Sequence, residues 1–155
     1  MFEIIPAFKP SECELMLETL QNTSHWKDGV TTAAGMAGFV KKNSQIFRDG
    51  LDEIVGDAIG HKFHIIRPRF VRYQIGDMYG RHYDTLKEKP SHSFSIPLNF
   101  DFEGGELIVY SKTSTDKLYA HKLSVGQMHY YPSVYEHEVT PVTMGTRYAI
   151  VGWLI

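Results

Sequence analysis

The chain has 155 residues, 43% of them hydrophobic and 13% aromatic. That suits one domain with a sizeable core, because a chain of this size buries roughly 70% of the surface its unfolded form exposes. Sixteen Lys and Arg against 18 Asp and Glu give a net charge of −2, which argues against a general polyanion binder and so against a nucleic-acid partner.

The single cysteine, Cys13, cannot form an internal disulfide and fits a reducing compartment. It falls in a predicted helix, where burial explains it better than catalysis. Met1 to Pro6 has neither the basic nor the apolar run of a leader. No stretch approaches the ~20 apolar residues that span a membrane. A cytoplasmic protein without a membrane partner is expected, as a monomer or a homodimer.

Two helices are predicted first. Ser11 with Glu14 three residues later forms a capping-box pattern, and Leu15, Met16, Leu17 and Leu20 supply a buried stripe. Residues 21 to 42, with Gly29, Gly35 and Gly38, read as a long loop that is functional or hides a short strand; Gly29 to Gly38 could form a flap over a substrate. Ser44 is read as the cap of a second helix reaching about His61, because Ile46, Phe47, Leu51, Ile54, Val55, Ala58 and Ile59 keep helical spacing.

From Phe63 the pattern becomes that of strands. Phe63 to Ile66, Arg69 to Tyr73, Ser93 to Ile96, Glu106 to Tyr110, Lys117 to Leu123, Gln127 to Tyr131, Tyr135 to Thr140 and Arg147 to Leu154 are rich in β-branched and aromatic residues. Turn signals such as Gly76-Asp77, Gly104-Gly105 and Pro132-Ser133 separate them. The expected fold is mainly β with N-terminal helices: residues 1–62 as mainly helical support, and residues 63–155 as a double-stranded β-helix, or jelly roll, of about eight strands within a single domain. The basic residues Lys62, Arg67, Arg69 and Arg72 are read as a solvated strand face.

Three residues suggest chemistry. His82 and Asp84 flank Tyr83, and strand alternation would point both ligands the same way. A jelly roll can bring His137, 53 residues past Asp84 (137 − 84), to the same point. Two imidazoles and one carboxylate on one face of an octahedron leave three positions open, the arrangement of non-haem Fe(II) oxygenases. Residues 141 to 145 read as a turn, so His137 and Arg147 are expected nearly opposite each other on paired strands. From there a guanidinium could bind the far carboxylate of 2-oxoglutarate whose near end chelates the iron. Of the other histidines, His129 is the best candidate for a site role because it lies near these residues in sequence.

These residues carry a resemblance. Arg72 to Asp84, Glu103-Gly104-Gly105-Glu106-Leu107, Tyr131-Pro132-Ser133, His137-Glu138-Val139 and Gly145-Thr146-Arg147-Tyr148 together resemble the Fe(II)/2-oxoglutarate-dependent dioxygenases of the prolyl 4-hydroxylase-like branch. Trp26 to Gly29, Gly35 and Lys41 to Gln45 further resemble the PKHD-type hydroxylases, a subgroup whose members usually continue beyond the point matching Ile155.

The resemblance implies that His82, Asp84 and His137 bind Fe(II) and that Arg147 binds the 2-oxoglutarate C5 carboxylate. Tyr73 would hydrogen-bond cosubstrate or shape the mouth, with core packing as the plainer role. Tyr79 and Tyr131 could be pocket walls or core residues; Asn43 and Gln45 could face substrate or simply cap and solvate. O2 would be the second cosubstrate and ascorbate a candidate reductant. The expected reaction hydroxylates an unactivated C–H, of a prolyl or other residue in a peptide or protein, or of a small metabolite. Two rivals stand beside it: a non-catalytic cupin-like metal- or ligand-binding barrel, and a zinc hydrolase, which lacks an evident general base.

Overall fold

A computed structural model describes residues 3–29, 41–110, 117–121 and 123–155. In chain order the elements are β1 (Glu3–Pro6), α1 (Pro10–Gln21), β2 (Lys27–Asp28), β3 (Lys41–Lys42), β4 (Ser44–Ile46), α2 (Leu51–Ala58), β5 (Ile65–Tyr73), β6 (Met78–His82) and β7 (His92–Pro97). They continue with β8 (Glu103–Gly104), β9 (Leu107–Tyr110), β10 (Lys117–His121), β11 (Gln127–Pro132), β12 (His137–Val139), β13 (Val142–Met144) and β14 (Arg147–Leu154). A seven-stranded sheet runs β1-β11-β7-β14-β5-β4-β2, a five-stranded sheet runs β10-β9-β12-β6-β3, and β13 pairs with β8. All of these pairings are antiparallel, as a jelly roll requires.

Alternation along the central strands gives the seven-stranded sheet two different faces. Tyr148, Ile150 and Leu154 of β14, Phe94 and Ile96 of β7, and Met128 and Tyr130 of β11 pack with Cys13 and Leu20 of α1 and Leu51 and Val55 of α2. The opposite face carries Val71, Tyr73, Tyr131 and Ala149, which pack with Leu107, Val109 and Val139 of the five-stranded sheet. The helices therefore cover one face, and the other closes the barrel in which the functional residues sit.

Several local expectations are corrected. Helix α1 starts at Pro10, not after Ser11; proline suits the first helical position, and the Lys9 backbone N–H donates to Glu12 Oε1 at 2.9 Å. Its buried face holds Cys13 and Leu20, whereas Leu15 is exposed. The second helix is short. Ser44 to Ile46 instead add a strand to β5 through Ser44↔Arg72, Gln45↔Val71 and Ile46↔Phe70, and Gly50 at φ 80° precedes the helix that begins at Leu51. Among the described residues, the part before residue 63 thus contributes four strands as well as two helices.

The two runs read from Phe63 to Tyr73 are one strand with an irregularity. Val151 pairs with Arg69 and Trp153 with Ile66, so Arg67 and Pro68 form a bulge, with Arg67 at φ 48°. The long loop from residue 21 carries β2 and β3 at its ends, and the flap expected over Gly29 to Gly38 lies, beyond Gly29, outside the described residues.

Candidate active site

His82 is the last residue of β6, and its cross-strand partner is His137, the first residue of β12. Asp84 lies just past the end of β6, held by a hydrogen bond from its backbone N–H to the Ser133 carbonyl at 3.1 Å. Strand parity is therefore not what aims Asp84; this tether does so. His82 Nε2 is 3.3 Å from Asp84 Oδ1 and His137 Nε2 is 3.4 Å from Oδ2. One ligand atom from each of the three lies within 4.8 Å of the others, a spacing that can hold a metal ion.

The surroundings prepare these groups as ligands. His82 Nδ1 lies 2.7 Å from the Gly80 carbonyl and His137 Nδ1 lies 3.0 Å from the Tyr135 carbonyl. A carbonyl only accepts, so each Nδ1 carries the proton and each Nε2 is left as the nitrogen that could face a metal. Asp84 Oδ2 accepts from Ser93 Oγ at 2.5 Å and from Trp153 Nε1 at 2.9 Å, which leaves Oδ1 as the oxygen for a metal. Burial works to raise the Asp84 pKa, but His137, His82 and the Ser93 hydroxyl outweigh it and hold the carboxyl well below the usual range. Burial pushes His137 down to about 4, against the pull of Asp84. At neutral pH the pair is thus a carboxylate and a neutral imidazole, the protonation states that metal binding needs.

Arg147 opens β14, and its cross-strand partner is Tyr73 of β5. The expected hairpin pairing of Arg147 with His137 is not formed. His137 belongs to the five-stranded sheet and Arg147 to the seven-stranded one, because the chain between them passes through β13, which pairs with β8. The two residues instead line one cavity from facing sheets.

Only 3% of Arg147 is exposed. Its Cζ lies 5.1 Å from the Tyr73 ring centroid, and Nη2 donates weakly to Ser95 Oγ at 3.4 Å. Nη1 is buried without a hydrogen-bond partner among the described residues. Burial lowers the Arg147 pKa, with Tyr73 and Tyr131 opposing. A guanidinium so placed is costly unless an anion completes it, and a carboxylate fits its fork. Gly105 at φ 58° leaves room for the arginine stem, since a Cβ there would lie 3.2 Å from Arg147 Cδ.

Tyr73 is buried against Arg147 in the cavity wall. Tyr79 stacks on the His82 ring at 3.8 Å, and Tyr131 stands edge-on to His137 at 4.9 Å. Asn43 also lines the cavity, with Oδ1 buried and lacking a partner among the described residues. Gln45 does not line it. Nor does His129, which packs in the interior and accepts the Ser124 N–H at Nε2 over 3.2 Å.

The basic run is a solvated face only in part: Lys62 and Arg67 are exposed, while Arg72 is half-buried and Arg69 buried. Arg67 pairs with Glu88 at 2.7 Å, Arg72 lies over Trp26 at 4.7 Å, and Arg69 is buried in the cavity wall. Sequence reading also missed Ser93, Ser95 and Trp153 as site residues. The alternation of Ser93 and Ser95 with Phe94 and Ile96 was the available signal, since it places two hydroxyls on the barrel side of a buried strand.

Residues 68–155 match the 2OG-Fe(II) oxygenase superfamily. The chain is similar to a PKHD-type hydroxylase of Gloeothece citriformis (32% identity, spanning 99% of this chain and 77% of that protein) and to one of Prochlorococcus marinus (35%, 94% and 73%). Its fold is similar to that of a Trichoplax adhaerens prolyl hydroxylase in complex with a hypoxia inducible factor oxygen degradation domain peptide fragment (TM-score 0.72, 19% identity, 99% and 83% coverage). It is also similar to that of a Pseudomonas putida prolyl-4-hydroxylase (TM-score 0.64, 17% identity, 99% and 91% coverage).

A jelly roll holding a His-Asp-His cluster beside a buried arginine defines a class of metal-dependent oxygenase. The chain belongs to the 2OG-Fe(II) oxygenase superfamily. It is a 2-oxoglutarate-dependent dioxygenase, with PKHD-type hydroxylases among its relatives. The family implies Fe(II), 2-oxoglutarate and O2, and the rival readings as a binding barrel or a zinc hydrolase give way to it.

Proposed function

We propose that the protein hydroxylates an unactivated C–H bond in a prolyl or other residue of a peptide or protein, with His82, Asp84 and His137 as the Fe(II) ligands and Arg147 as the anchor of the 2-oxoglutarate C5 carboxylate. The observation that carries this reading is the buried Arg147 Nη1, without a hydrogen-bond partner among the described residues, in the same cavity as His82, Asp84 and His137. When bound, the iron supplies the oxygen chemistry that couples 2-oxoglutarate decarboxylation to hydroxylation.

The chain's own residues do the rest. Gly80 and Tyr135 fix the two histidine tautomers through their carbonyls, and Ser93 and Trp153 hold Asp84 so that Oδ1 faces the metal. Arg147, backed by Tyr73 and Ser95, orients the cosubstrate by its far end. Tyr79 and Tyr131 keep water from the two imidazoles. Ascorbate is the reductant we assign for keeping the iron ferrous. Among the described residues no helix is long and apolar enough to cross a membrane, and with its one cysteine buried and unpaired we assign the protein to the cytoplasm.

The test is turnover with Fe(II), 2-oxoglutarate and O2 over a panel of proline-containing peptides. The expected product carries one added oxygen atom, with succinate formed in equal amount. Succinate without any oxidised peptide would move the substrate assignment to a small molecule.

A further inference from the structure

Arg69 is the second buried arginine of the cavity, and neither the candidate metal site nor the Arg147 anchor uses it. It lies on the same face of β5 as Val71 and Tyr73, opposite Val151 of β14. It is only 8% exposed. Its hydrogen bond is a long one, from Nη1 to the Arg67 carbonyl at 3.3 Å. Its Cζ lies 4.7 Å from the Trp153 ring and 6.0 Å from that of Phe47. Among the described residues no carboxylate forms an ion pair with it.

A second cation stands nearby. Lys41 Nζ lies 5.0 Å from the ring of Tyr79, which itself stacks on His82. Burial, and then the charge of Arg69, lower the Lys41 pKa to about 8. The acid they both feel is Asp84, and its Oδ2 is already engaged by Ser93 and Trp153. Arg69 in the cavity wall and Lys41 beside Tyr79 thus carry positive charge that no ion pair among the described residues answers.

Arg69 and Arg147 are rooted at different places in the cavity wall. Their positions are set by Val151 and by Tyr73, four residues apart along a strand pair, or roughly 13 Å at ~3.3 Å per residue. Their heads also rest on different rings, Arg147 on Tyr73 and Arg69 on Trp153. Trp153 donates to Asp84, so the Arg69 head is one indole away from the metal ligands. A cosubstrate anchored on Arg147 and reaching His82, Asp84 and His137 leaves Arg69 uncommitted in the same cavity.

We propose that Arg69, with Lys41 beside it, binds a carboxylate of the substrate, so that the molecule hydroxylated is a small carboxylic acid or a peptide with an acidic residue near the oxidised carbon. This rests on the oxygenase reading of the cavity and narrows its substrate. Arginine suits the role because its planar fork matches a carboxylate and its charge survives burial. The competing role is a clamp that holds Trp153, and through it Asp84, without touching substrate.

Two matched pairs of probes test this on the full chain with Fe(II) and 2-oxoglutarate under anaerobic conditions: L-proline against L-prolinamide, and the capped dipeptide Pro-Asp against Pro-Asn. Calorimetry and the shift of the visible iron–2-oxoglutarate band read binding. At least one acid should bind about tenfold or more tightly than its amide. Arg69→Met should remove that preference and Arg69→Lys should keep part of it. The pair that discriminates distinguishes a free acid from an acidic residue in a peptide.

Equal binding of acid and amide in both pairs overturns the proposal, and this comparison needs no variant to fold. A preference that survives Arg69→Met also overturns it. A clamp shows itself differently: metal affinity falls in Arg69→Met and the wild type has no acid preference. Failure of the oxygenase reading is separate again, because then no band forms with Fe(II) and 2-oxoglutarate before any probe is added.

Discussion

The indole nitrogen of Trp153 donates to Asp84 Oδ2 at 2.9 Å, although the two residues lie 69 positions apart. With Ser93 on the same oxygen at 2.5 Å, it fixes which face of the carboxylate meets a metal. Trp153→Phe and Ser93→Ala should each lower Fe(II) affinity by about 10- to 100-fold, the usual cost of losing an orienting partner. Titration with Mn(II) in place of Fe(II) checks this without oxidation. Unchanged affinity in both variants would show that Asp84 needs no such support.

Arg147→Ala should weaken 2-oxoglutarate binding by about 2–5 kcal/mol, more than about 25-fold in Kd, because it removes one partner of a buried charge pair. Metal affinity should stay close to that of the wild type, since Arg147 touches none of the three ligand residues. Arg147→Lys should recover only part of the loss, as an ammonium lacks the bidentate fork. Calorimetry of 2-oxoglutarate binding in the presence of Mn(II) separates these outcomes.

Gly105→Ala places a Cβ 3.0 Å from Val142 Cγ2 and 3.2 Å from Arg147 Cδ, at a φ of 58°. The left-handed backbone alone costs about 1–2 kcal/mol for a residue with a Cβ. The expected result is a lower Tm together with a raised 2-oxoglutarate Kd, as the arginine stem is displaced. A lower Tm with an unchanged Kd would show that the stem has room elsewhere.

The acid stability of the metal-free protein should report its buried histidines. His137 and His129 both have pKa values pushed by burial from 6.5 to about 4. The unfolded chain takes up these protons near pH 6.5, and the folded protein takes them up only near 4. Stability is therefore full above about 6.5 and is lost as the pH falls toward 4. Asp84 acts in a lower window, because its folded pKa lies below the ordinary carboxyl value and its contribution disappears only under more acid conditions. Thermal melts of metal-free protein from pH 7.5 to 4 should show this decline, and added Mn(II) should reduce it while the ligands remain deprotonated. A melting temperature flat to pH 4.5 would contradict it.

The sequence made the strand-rich half legible because its β-branched runs alternate and its turns are marked. It also made His82, Asp84, His137 and Arg147 legible as a candidate set, which the fold brings to one cavity. What it hid was set by pairing between distant segments. Ser44 to Ile46 keep helical spacing with the residues that follow, but β5 captures them as a strand. His137 and Arg147 straddle a turn signal, yet the turn leads from one sheet toward the other rather than into a hairpin. Arg69 looked like one of four surface charges until the β5 register turned it inward. Trp153 and Ser93 became site residues only because the fold carries them to Asp84.

The central claim is that His82, Asp84 and His137 hold an iron whose open positions take 2-oxoglutarate anchored by Arg147. Anaerobic addition of Fe(II) and then 2-oxoglutarate tests it most directly, because chelation of a ferrous centre by the 2-oxo acid gives a weak visible charge-transfer band. The account predicts that band in the wild type, its loss in His82→Ala, and a far higher 2-oxoglutarate requirement in Arg147→Ala. Fully folded wild-type protein that binds Fe(II) but develops no band with 2-oxoglutarate would contradict it.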